Sequence, residues 1–188
     1  MNSTKKISII FLLVMIPFCA FAAESADKVF AGFLAGLDAK SLENGSYIKN
    51  STDFYSLLLE NKIDTSSARI VLLVSPEPVS KSLSPDESWL SLPLAEPWPY
   101  HSFVSYQGKA YDPNFKEKVR EIKDYFRKLW QYGTKDQHIN VYSFQLRHVP
   151  QFMGTLNGKT PKLQSFEPVT IEFFINNPHH ISKRKKHR

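Results

Sequence analysis

The stretch YHSFVSYQGKAYDPNF, Tyr100 to Phe115, constrains this chain more than any other. An apolar-rich run ends at Gln107-Gly108, a second short run follows, and Asp112-Pro113 closes it. Glycine supplies the positive φ that a tight hairpin turn needs. Two antiparallel strands are therefore expected, with Tyr106 opposite Lys109, Ser105 opposite Ala110, Val104 opposite Tyr111 and Phe103 opposite Asp112. Side chains alternate along a strand, so His101 and Phe103 share a face, and Asp112 joins them. His101 and Asp112 are then diagonal neighbours, about 7–8 Å apart at Cα. A carboxylate beside an imidazole fixes its tautomer and stabilises the imidazolium. The pair is a candidate base and orienter; the alternative is a surface hairpin with incidental polar ends.

The flanking sequence supplies the rest of the fold. Val29, Phe30, Phe33, Leu34 and Leu37 form one apolar stripe, predicting a helix within Ala26 to Leu42 that ends at Asn44-Gly45. Ser51-Thr52-Asp53 offers a cap for a second helix over Phe54 to Leu59. Arg69 to Ser75 is a β-branched-rich run and reads as a buried strand. Pro76 to Pro99 carries six prolines and reads as a long loop. Trp89, Leu90, Leu92, Leu94 and Trp98 can anchor that loop. Alternatively, Trp89, Trp98 and Tyr100 line a groove beside His101. Phe115 to Trp130 predicts a helix with Phe115, Val119, Ile122, Phe126 and Leu129 on one face. Strands are expected over Ile139 to Arg147 and Val169 to Ile175. Helices first and strands later indicate an α+β domain with N-terminal helices and a mostly antiparallel sheet.

The chain's first residues read differently. Lys5 and Lys6 precede an apolar run from Ile9 to Phe18, and Ala20-Phe21-Ala22 follows. This is the pattern of a secretory signal peptide, with cleavage expected after Ala22 or Ala23. Residues 1–22 are thus assigned to a leader, 23–178 to a single domain and 179–188 to a solvated, disordered basic tail. The expected location is periplasmic or secreted. The only cysteine, Cys19, falls in the leader. The mature chain then has no thiol, which excludes disulfides, a cysteine nucleophile and a thiolate metal site. No cofactor is expected, since the nucleotide-binding glycine signature is missing. Of the net charge of +6, the leader lysines contribute two and the tail Lys183-Arg184-Lys185-Lys186-His187-Arg188 contributes five. The body is near neutral, so the tail is where an anionic surface would be contacted. The histidines His179, His180 and His187 fall in that tail without a spaced acidic partner; His138 and His148 bracket an expected strand.

The phrase W-P-Y-H-S-F-V, a Gly turn and then A-Y-D-P resembles the histidine and aspartate strands of papain-like thiol hydrolases, in particular their transglutaminase-like and protein-glutaminase-like branches. The order of elements from Ser46 to Phe115 is similar too. The resemblance implies a nucleophile at the N-terminus of the helix preceding the histidine strand. The family's cysteine is missing there. Ser46, Ser51 and Thr52 occupy that region.

Three functions follow. One is a non-catalytic exported protein on this scaffold, binding a peptide or protein in the inherited cleft. A second is an amidase or acyl-transfer enzyme with His101 as base, Asp112 as orienter and Ser51 or Ser46 as nucleophile. The third is an exported interaction protein of unrelated α+β fold, in which His101 and Asp112 do not meet.

Overall fold

A computed structural model describes residues 24–42, 46–75, 83–93, 98, 100–133, 138–148, 163 and 166–185. The expected leader, Asn44-Gly45, several residues of the proline-rich loop and Lys186 to Arg188 lie outside the described residues.

Helix α1 spans Ala26–Ala35, capped by the Ser25 hydroxyl, which accepts from the Lys28 amide. It ends at Gly36, earlier than the apolar stripe suggested, and a separate 3-10 turn follows at Lys40–Leu42. Helix α2 spans Tyr47–Glu60, a full turn earlier than expected. Ser51 is therefore inside the helix and is not its cap; Ser46 holds that position. The missed signal was the spacing Tyr47, Ser51, Phe54, Tyr55, Leu58, which places one continuous buried stripe on α2.

Strands β1 (Arg69–Val74), β2 (Tyr100–Tyr106), β3 (Lys109–Tyr111), β4 (Val119–Glu121) and β5 (Asn140–Phe144) form one sheet in the order β4-β3-β2-β1-β5. Every neighbouring pair is antiparallel. The hairpin register is the expected one: Tyr106 opposes Lys109, Ser105 opposes Ala110 and Val104 opposes Tyr111. Gly108 sits at φ +77°, the conformation for which the turn needs glycine.

All residues of β1 and β2 are buried, because helices cover both faces of the sheet. Register pairing puts Val71, Leu73, His101, Phe103, Val141 and Ser143 on one face. That face meets helix α3 (Ile122–Leu129), where Phe103 packs 4.6 Å from Tyr125 between ring centroids. Phe126 of α3 in turn meets Phe174 of α4 (Ile171–Asn176). The other face meets α1 and α2, with the Tyr111 ring 5.3 Å from both Phe30 and Phe54.

Two expected elements change type, and the strand expected over Ile139 to Arg147 ends at Phe144, followed by a 3-10 turn at Leu146–His148. The helix over Phe115 to Trp130 is in fact a turn, strand β4 and the shorter α3. Asp112 Oδ1 accepts the Asn114 amide across Pro113, an Asx turn that diverts the chain, and Lys118 takes φ 65°. Phe115 bridges Leu90 instead of starting a helix. The strand over Val169 to Ile175 is a single bridge from Val169 to Val141, followed by α4. The Thr170 hydroxyl accepts the Phe173 amide there, and this cap, with Ile171 and Phe174 three apart, outweighs the β propensity of the run.

The tail also differs from expectation. Residues 179–185 lie against the sheet edge: the Ser182 amide donates to the Ser143 carbonyl, and the Ser182 hydroxyl accepts the Ser143 amide. The Arg69 side chain donates to the His179 carbonyl, and Glu167 donates its amide to the Lys183 carbonyl.

Candidate functional site

The hairpin delivers His101 and Asp112 to one another. Nε2 of His101 lies 2.8 Å from Oδ2 of Asp112, and neither side chain has any exposed surface. The same oxygen accepts the Tyr125 hydroxyl at 2.8 Å, and Oδ1 accepts the Asn114 amide at 2.9 Å. A carboxylate that accepts three hydrogen bonds is well compensated for its burial. Lys118 supplies a nearby positive charge; its amine donates to the Pro113 carbonyl and the Ser91 hydroxyl. Burial pushes the Lys118 pKa down, and Asp112 pulls it back up. The Tyr125 phenol is pushed well up, first by burial and then by the Asp112 charge, so it remains a neutral donor. Tyr125 was not among the residues singled out in the sequence. It lies three residues after Ile122 on the buried stripe of α3, and that spacing was the available signal.

The second imidazole nitrogen is enclosed by rings. Trp98 stacks on His101 at 4.4 Å with planes 9° apart. Tyr47 lies 4.8 Å and Trp130 5.7 Å away between centroids. Among the described residues Nδ1 has no hydrogen-bond partner. An imidazole in this setting is fixed in place and walled from water.

The structure does not bring the sequence-predicted nucleophile Ser51 to this atom. Its hydroxyl donates to the Tyr47 carbonyl at 2.9 Å and accepts from Ser102 at 2.9 Å. Ser102 neighbours His101 on β2 and so points to the opposite face. Ser46 makes no side-chain cap bond and heads α2 directly before Tyr47, whose ring touches the imidazole.

The aromatic groove is replaced by a packed wall. Trp98 and Tyr100 are buried. Trp89 is half-buried on a 3-10 turn, where Lys128 sits over its ring at 4.1 Å and Phe115 lies beside it. These residues pin the proline-rich loop: the Leu83 amide donates to the Trp98 carbonyl and Leu90 bridges Phe115.

Two clefts lie elsewhere among the described residues. A cleft of about 560 Å³ is lined by Tyr132, His138, Asn140, Thr170 and Glu172 among others. It begins two residues beyond Trp130. A second cleft, of about 410 Å³, lies at the hairpin turn beside Asp27, Asp64, Lys62 and Lys109. Among the described residues no group of His, Cys, Asp and Glu converges as metal ligands. Among the same residues no helix is long and apolar enough to cross a membrane. Of the basic residues expected to meet an anionic surface, Lys183, Arg184 and Lys185 are exposed, with Arg184 over the Phe166 ring. Lys186 and Arg188 lie outside the described residues. No family model, curated protein or solved structure matches the chain.

Proposed function

We propose that this chain is an exported, non-catalytic binding protein on a papain-like or transglutaminase-like scaffold, with a peptide or protein as its ligand. The observation that carries this reading is the environment of His101: a buried imidazole bonded to Asp112, whose other nitrogen faces aromatic rings. General-base catalysis needs the base within hydrogen-bond reach of the proton it removes. Here the pair acts as a buried cross-link between β2, the end of the hairpin and α3. The ligand is then assigned to the cleft of Tyr132, His138, Asn140 and Glu172, which has both room and polar groups and does not include the pair.

The test is turnover of a panel of glutamine amides and aryl esters by the full chain and by His101→Ala, with unfolding followed in parallel. No turnover by either protein, with peptide binding retained in a folded His101→Ala, supports the binding reading. Turnover that is lost in that variant overturns it.

A second reading is favoured by one observation: Ser46, whose hydroxyl makes no cap bond, heads α2 directly before Tyr47, the residue whose ring packs on His101. In that reading Ser46 is the nucleophile of an amidase or acyltransferase, His101 its base and Asp112 the orienter. A fluorophosphonate probe then labels Ser46, and the label is lost in His101→Ala. Absence of labelling removes this reading.

A further inference from the structure

The basic run does not begin as a free end. The chain is held at Ser182, which is buried and bonded twice to Ser143, and at Lys183, whose carbonyl accepts the Glu167 amide, so Lys183 to Lys185 are presented from a fixed edge. Beside them stands Phe173 of α4, the one Phe, Tyr or Trp among the described residues in the exposed class, at 44%. The rings of Phe173 and His180 meet edge to face at 5.1 Å. Burial, then the Lys183 charge, then the Arg69 charge push the His180 pKa down. Two carboxylates belong to neighbouring positions, Glu167 and Glu172, against five cations in Lys183, Arg184, Lys185, Lys186 and Arg188. Glu172 lines the larger cleft.

We propose that this surface, Phe173 with His180 and Lys183 to Lys185, docks on a bilayer rich in anionic phospholipid. Polybasic segments are drawn to a negative headgroup layer, and an adjacent aromatic ring gains by entering the boundary between headgroups and acyl chains. Either signal alone holds a protein weakly; together they give stable, reversible attachment. A nucleic-acid surface would instead stack successive bases on several rings. Here a single ring stands out beside the charges.

The test is co-sedimentation of the full chain with vesicles of phosphatidylcholine alone and of phosphatidylcholine mixed equally with phosphatidylglycerol. Binding to the mixed vesicles only is expected. It should weaken at least ~tenfold in ~1 M salt, where screening acts within ~3 Å. Lys183→Gln, Lys185→Gln, Lys186→Gln and Arg188→Gln together should cost ~tenfold or more and flatten the salt dependence. These changes leave the backbone bonds of residues 182 and 183 in place. Phe173→Ser should weaken binding while keeping the salt dependence. Truncation before Lys186 removes two charges without touching the described residues, and guards against misfolding of the larger variant. Equal binding to both vesicle types, no binding at low salt, or no effect of Phe173→Ser overturns the proposal. So does tighter binding to a single-stranded oligonucleotide than to the mixed vesicles.

Discussion

His101 and Asp112 show how one pair of polar side chains can be costly to remove and yet have no solvent contact. Asp112 satisfies an imidazole, a phenol and a backbone amide at once. Asp112→Ala leaves all of them buried without an acceptor. Breaking such a network is expected to cost about 3–5 kcal/mol, and Tyr125→Phe only about 1 kcal/mol, because it deletes a donor and leaves Asp112 its other partners. Urea unfolding of the two variants measures both; equal small losses would mean the network is not a stabilising cross-link. Ser51 and Ser102 present the converse case. They satisfy one another between α2 and the sheet. Ser102→Ala or Ser51→Ala alone is expected to destabilise by about 1 kcal/mol. The double variant should recover part of the sum, since removing both partners leaves no orphan. Strict additivity in that cycle would show that the two hydroxyls do not interact.

At the scale of elements, docking of α1 on the hairpin turns on Asp27. Its carboxylate accepts the Tyr111 hydroxyl at 2.6 Å and an ion pair from Lys109. The Tyr111 hydrogen bond is the main cause holding the Asp27 pKa below the ordinary carboxylate range. A depressed folded-state pKa means that this contact stabilises the fold above the ordinary carboxylate range and is lost as pH falls through the lowered value. Tyr111→Phe should therefore raise the Asp27 pKa and flatten the acid limb of the stability profile. NMR titration of the Asp27 carboxyl in both proteins checks the first; an unchanged titration would discount the bond. The elements that sequence periodicity misassigned were those redirected by side-chain bonds to the backbone. Asp112 turns the chain at Pro113, and Thr170 starts α4 where β-branched and aromatic residues suggested a strand.

For the whole molecule, the outer edge of β5 is the vulnerable feature. An unpaired sheet edge is a template for association. Here Val169 covers Val141, and the chain from His179 covers Ser143. Truncation before His179 is expected to lower the melting temperature and promote self-association. Truncation before Lys186 should leave stability within about 0.5 kcal/mol. Thermal unfolding and light scattering of the two truncations separate these outcomes; matching behaviour would mean the tail does not protect the edge.

Local rules made the hairpin legible from sequence. Gly108, the alternation on either side and the Asp-Pro stop fix both register and the side to which His101 and Asp112 point, because strand periodicity leaves no alternative once the turn is placed. The apolar run of β1 likewise announced burial on both faces. Tertiary structure alone decided what surrounds the pair. Trp98, Tyr47 and Trp130 come from a proline-rich loop, the head of α2 and the end of α3, and no spacing within one element relates them. It also decided that Ser51 faces away, since one extra helical turn of α2 rotates that residue from a cap into the core. Charge composition marked the tail, but only the reciprocal bonds between Ser182 and Ser143 show where the tail is held. Short-range periodicity specifies which face a side chain takes; what it meets there depends on residues far away in the chain.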